Sequence, residues 1–91
     1  MKITTKLNPI NPNLLMITFD VGKDSLYAYT ELPLQANALN AVEETIPNRN
    51  QPILKALEQF GHMARQHGFA GLCVLCEPTG GYERRLLRLA R

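Results

Sequence analysis

The sequence predicts an α/β fold, a mixed sheet built in the order β-β-β-α-β-α. Three observations predict it. Two dense apolar runs, 14–20 and 71–77, have strand length; residues 25–32 alternate apolar and polar; and residues 53–64 repeat their apolar side chains at helical spacing.

Residues 1–13 hold Pro9 and Pro12 and read as an extended lead-in to a single partial domain over 14–91. Leu14 to Asp20 suits a central strand covered on both faces, ended by turn chemistry at Val21-Gly22-Lys23-Asp24. Ser25 to Leu32 sets Leu26, Ala28 and Thr30 against Tyr27, Tyr29 and Glu31, a second strand returning antiparallel. Pro33 ends it, and residues 34–40 form a loop or wide turn. Ala41 to Ile46 is a third, weaker strand; Glu43 and Glu44 mark it as an edge and Pro47 closes it.

A helix starts at Asn50, a good N-cap, with Pro52 in its first turn. Ile53, Leu57, Phe60 and Ala64, joined by Leu54, give it one apolar face, and Gly68 stops it. Residues 71–77 are the fourth strand. Pro78-Thr79-Gly80-Gly81 turns the chain into a last helix, with Leu86, Leu87 and Ala90 on one side and Arg84, Arg88 and Arg91 on the other. Cys73 and Cys76 have C-x-x-C spacing, but within a strand positions three apart point to opposite faces, so both thiols read as core.

Composition is that of an ordinary globular chain, 45% hydrophobic and 20% charged. No apolar run approaches the roughly 18 residues of a membrane span. Residues 1–13 lack the apolar core of a signal peptide, so a cytoplasmic location is expected. The net charge of +2 excludes little, but residues 83–91 carry four arginines against Glu83, leaving about −1 for the rest. Such a segment is either a solvated helix face, the commoner case, or a face turned to phosphates.

Three antiparallel strands followed by a helical crossover to a fourth match the opening half of an RNase H-like sheet. In that architecture the fourth strand lies parallel to the first. Asp20 and Glu77, each the last residue of its strand, then converge at one sheet end, where α/β sheets build sites. Either acid alone reads equally well as a solvated strand end. Together they repel unless a cation sits between them, and magnesium takes such oxygen ligands.

Two stretches carry a family resemblance. Ile17-Thr-Phe-Asp-Val-Gly-Lys-Asp-Ser-Leu26 resembles the "IDVSK-x-x-L" opening of the DEDD-type insertion-sequence transposases, enzymes that have an N-terminal RuvC-like domain and are guided by a bridge RNA. Cys76-Glu-Pro-Thr-Gly-Gly-Tyr-Glu-Arg-Arg-Leu-Leu87 is similar to that family's "E-x-T-G-x-Y" segment. The resemblance implies that Asp20 and Glu77 are the first two acids of a catalytic, metal-binding tetrad. It also implies Mg2+, DNA strand cleavage and exchange, and a structured guide RNA as partner. Lys23 matches the family's lysine after the first turn, and is either a phosphate contact or a solvated hairpin tip. Thr79, Gly80 and Gly81 match the "TGG" turn, whose amides favour anions or whose glycines serve only the bend. Arg84 and Arg88 are further candidate nucleic-acid contacts. Tyr82 reads as packing rather than base-stacking, and His62 and His67 have no assigned role.

Gly22 stands where the family often has serine, and the family's two later aspartates, serine domain and final strand and helix have no counterpart in these residues. The expectation is a transposase fragment inactive by itself, with weak or absent Mg2+ affinity and self-association through the open edge of the fourth strand. Two other classes fit less of the sequence. An actin-like or sugar-kinase ATP-binding half shares the opening topology and an Asp-then-glycine hairpin, but gives the Glu77–Tyr82 block no role. A non-catalytic nucleic-acid-binding or oligomerisation remnant remains compatible with every residue.

Overall fold

A computed structural model describes residues 13–33 and 39–90 of the chain. The lead-in, apart from Asn13, the 34–38 part of the loop and Arg91 lie outside the described residues. The elements are β1 (Leu14–Val21), β2 (Ser25–Pro33), β3 (Leu39–Pro47), α1 (Asn50–Gln66), β4 (Gly71–Cys76) and α2 (Arg84–Leu89), in the predicted order. They form an α/β fold with one four-stranded mixed sheet, ordered β3-β2-β1-β4. β1 pairs antiparallel with β2, and β2 with β3; β4 lies parallel to β1 in register from Leu14↔Gly71 to Phe19↔Cys76. Consequently β1, β3 and β4 share one direction, and their carboxyl ends meet at the same end of the sheet.

The strands form because apolar side chains recur at every second position. In β1, Leu15, Ile17, Phe19 and Val21 are buried, whereas Met16 and Asp20 are exposed. This corrects the expectation that β1 is covered on both faces: one face meets the core, and the other presents polar and part-exposed groups. The alternation in β2 holds as read, with Leu26, Ala28 and Thr30 buried and Tyr27 exposed. Thr30 is a buried polar residue whose hydroxyl donates to the Met16 carbonyl at 2.7 Å, satisfying both groups across the strand pair. On the open face the Tyr27 and Tyr29 hydroxyls donate to Glu43 and Glu31, and these bonds to carboxylates hold both phenols above their ordinary pKa.

Several boundaries move. β3 begins two residues before Ala41 and includes Pro47, which lies opposite Ser25; pairing with β2 prolongs the strand beyond its own weak pattern. β1 runs one residue past Asp20, and Glu77 falls just outside β4. Asn50 is the first helical residue of α1; Arg49 is the cap, without a side-chain cap bond. In α2, Leu86 is buried and Leu87 half-buried as expected, but Ala90 is exposed while Leu89 is partly covered.

α1 lies across the sheet and presents Ile53, Ala56, Phe60 and Ala64 to it. Leu57 is only partly buried and Leu54 is 36% exposed, so the apolar face is centred nearer Ala56 than their size suggests. Cys73 and Cys76 are both buried thiols, as expected, and burial raises the Cys73 pKa. The helix ends in a paired reverse bond: Phe69 N–H donates to Ala64 O at 2.9 Å and Gly68 N–H to Arg65 O at 3.1 Å, with Gly68 at φ 84°. Nothing lies within 4 Å of a Cβ built on Gly68, so a side chain there meets backbone strain alone. Gly68→Ala should therefore lower stability by about 1–2 kcal/mol in urea unfolding, the cost of a left-handed non-glycine residue. A change below ~0.3 kcal/mol would contradict the assigned helix stop.

Candidate functional site at the carboxyl end of the sheet

The shared direction of β1, β3 and β4 gathers the chemistry of the chain at one end. Asp20 precedes the last residue of β1, and Glu77 follows the last residue of β4. Both are exposed, and both line one cleft of about 350 Å3 together with Thr18, Val21 and Thr79. The carboxylates singled out in the sequence are thus brought together. No group of three or more His, Cys, Asp or Glu able to hold a metal occurs among the described residues. Two carboxylates beside two threonines form an all-oxygen donor set, which fits a hard divalent cation that keeps most of its water.

The Thr79-Gly80-Gly81 turn is held from within. One carboxylate oxygen of Glu83 accepts the Thr79 hydroxyl at 2.6 Å, the Thr79 N–H at 3.2 Å and the Gly81 N–H at 3.1 Å. Those donors favour the charged form and lower the Glu83 pKa to about 2. Gly80 and Gly81 sit at φ 80° and 124°, so the glycines are required by the bend itself. The Thr79 and Gly81 amides, expected to meet an external anion, already have one in Glu83, and a phosphate taking both must displace it.

Asn48, which directly follows β3, joins the remaining segments. It is 6% exposed. Its Nδ2 donates to Gly22 O at 2.9 Å and Tyr82 O at 3.2 Å, and its backbone N–H donates to Asp24 O at 2.9 Å. Its two oxygens accept from Arg85, the carbonyl and Oδ1, the latter at 3.3 Å. One side chain therefore ties the β1–β2 hairpin, the end of β3 and the segment entering α2. The Gly22 N–H is bonded across its own turn to Ser25 O at 2.8 Å. That leaves the hairpin without the free glycine amide that a nucleotide-phosphate cradle uses.

On the other side of this junction lies a basic cleft of about 300 Å3, where Lys23, Arg84, Arg85 and Arg88 meet Tyr82. Lys23, Arg84 and Arg88, separate candidates in the sequence, share it. Arg88 also approaches Asn50 Oδ1 at 3.4 Å. Tyr82 is 48% exposed, which corrects its reading as a packing residue. Among the described residues its hydrogen bond is through the backbone, the carbonyl held by Asn48.

Neither a family model, nor a curated protein, nor a solved structure matches this chain.

Asn48, Glu83 and Arg85 were not found from the sequence. The Thr79-x-x-x-Glu83 spacing around two glycines was a usable local signal for a self-capped turn. Asn48 had none, because its side-chain partners lie 26, 34 and 37 residues away.

Asn48→Asp keeps the size and the Arg85 contact but turns an acceptor toward two carbonyls. It should cost about 1–3 kcal/mol in urea unfolding, whereas Asp at exposed Asn40 should stay within ~0.5 kcal/mol. Equal effects at the two positions would rule out the junction.

Glu83 gives a pH signature. Its folded pKa, about 2, lies below the ordinary 4.5, so its stabilising contribution is complete above about pH 4.5 and vanishes as pH falls through 2. Glu83→Gln should flatten stability across that window while leaving the slope above pH 5 unchanged. An unaltered acid limb in thermal melts would show that the carboxylate does not hold the turn.

Proposed function

We propose that this chain forms part of an RNase H-like, RuvC-type domain of a transposase or recombinase acting on DNA phosphodiester bonds, with Asp20 and Glu77 as two of its metal-binding carboxylates. The observation that carries the reading is their meeting in one cleft from parallel neighbouring strands. The family resemblance of residues 17–26 and 76–87 supplies the reaction class, and the strand order agrees with it.

Magnesium fits the pair by donor chemistry, and Asp20 and Glu77 would hold it. Bound there, it would supply charge stabilisation to the oxygens of a phosphodiester. The chain's own residues do the rest of the arranging. Parallel pairing of β1 with β4 fixes the spacing of the acids, and the Glu83-capped turn fixes the path of the chain after Glu77. The basic cleft beyond Asn48 places cations where a polyanion passing the acids would need them. Nicking by this chain alone is not expected, because two carboxylates do not complete a two-metal site. DNA and a structured RNA are the proposed partners; β4 is the last strand of the sheet among the described residues, which suits self-association. No helix among the described residues is long and apolar enough to cross a membrane.

Magnesium titration followed by amide NMR tests the metal site. Shifts should concentrate at residues 18–21 and 76–79 and disappear in Asp20→Asn, with binding weak because only two acids contribute. Shifts elsewhere, or shifts that survive Asp20→Asn and Glu77→Gln together, would remove the metal assignment.

A further inference from the structure

We propose that the cleft between the β1–β2 hairpin and α2 binds single-stranded nucleic acid, with an unpaired base stacked on Tyr82 and phosphates held by Lys23, Arg84 and Arg88. This deepens the nucleic-acid reading above and rests on it.

Tyr82 is nearly half exposed and lines a cleft whose charged lining residues are all cations. Solvent exposure of an aromatic ring among lysine and arginine is poorly explained by packing. It is the arrangement by which proteins hold unstacked bases, since every base has a face and the neighbouring cations take the backbone. Among the described residues, neither the Lys23 ammonium nor the Arg84 guanidinium has a hydrogen-bond or ion-pair partner, and Arg84 is bonded only through its backbone N–H to Gly81 O at 3.1 Å. Both charges are therefore available to a ligand. Arg85 is different: Asn48 pins its guanidinium, so it acts as a fixed wall.

The cleft does not end there. Arg85 also lines a second depression, of about 520 Å3, with Arg49 and the first residues of α1. No acidic residue lines either one. The two adjoin at Arg85, which lines both, so cations border them from Lys23 to Arg49. Of the two acids next to these residues in sequence, Glu83 is committed to the Thr79 turn, and Asp24, beside Lys23, lines neither depression.

The exposed ring selects the partner. A duplex buries its base faces and offers Tyr82 only backbone. An acidic peptide would satisfy the cations but leave the ring unused. A single strand uses both.

Fluorescence anisotropy on the 91-residue chain tests this, with an oligothymidylate of about ten nucleotides against a hairpin duplex of equal phosphate number. The single strand should bind more tightly. Tyr82→Leu should weaken it at least about fivefold, and Tyr82→Phe should leave it unchanged, since one base–aromatic stack is worth that much or more. Both variants keep an apolar side chain and the backbone bond to Asn48, and matching thermal melts confirm that they fold. The double variant Arg84→Gln, Arg88→Gln should lower the salt slope by about 1.4, the single-strand value for two phosphate contacts. A 2-aminopurine placed in the strand should be quenched by wild type and by Tyr82→Phe but not by Tyr82→Leu.

Equal binding of the duplex, indifference to Tyr82→Leu, or equal competition by polyglutamate would overturn the proposal while leaving nucleic-acid binding in general open to the duplex arm. Failure of every oligonucleotide to bind would instead defeat the nucleic-acid reading itself. The magnesium titration reports on the acidic cleft independently of both.

Discussion

The carboxyl end of this small sheet depends on the carboxamide of Asn48, which ties the segment entering α2 to the β1–β2 hairpin and the end of β3. The hairpin and the end of β3 already meet through the β2–β3 ladder and the Asn48 N–H bond to Asp24 O, but among the described residues no backbone hydrogen bond joins either to the segment entering α2. The Asn48 side chain supplies the missing bonds, with donors on two carbonyls and an acceptor on Arg85. A buried amide with all its partners met is rigid, because breaking any one bond leaves a polar group dry. The position of Tyr82, and with it the start of α2, follows from this contact.

That junction also separates two electrostatic environments. Asp20 and Glu77 face one cleft, and Lys23 with the α2 arginines faces another. Glu83 lies between them and neutralises the turn amides that would otherwise draw an anion toward the acids. The two flanks of the junction therefore differ in charge, with cations on one and carboxylates on the other. The separation is a consequence of strand direction. Because β1, β3 and β4 point the same way, their ends and the turns that follow them crowd together at one end of the sheet.

Much of the fold was legible locally. The period of two in β2, the apolar runs of β1 and β4, the helical face around Phe60 and the stop at Gly68 are properties of neighbouring residues. So is the burial of both cysteines. The misreadings share a cause. Pro47 and residues 39–40 join β3 because β2 lies beside them, Ala90 is exposed because α2 docks through Leu86, and β1 is covered on one face because α1 is the element that crosses it. None of these neighbours is visible from within the segment concerned.

The sequence by itself determined the order and kind of the elements and placed two carboxylates at strand ends, since hydrophobic period and turn chemistry act over a few residues. Only the tertiary structure decided that Asp20 and Glu77 share a cleft, that Lys23 meets Arg84 and Arg88, and that Tyr82 stands exposed between them. Those outcomes depend on parallel pairing of β1 with β4 and on hydrogen bonds from Asn48 to residues 26 and 34 positions away. Contacts of such range leave no periodic trace in a chain. They become readable once the sheet order is known.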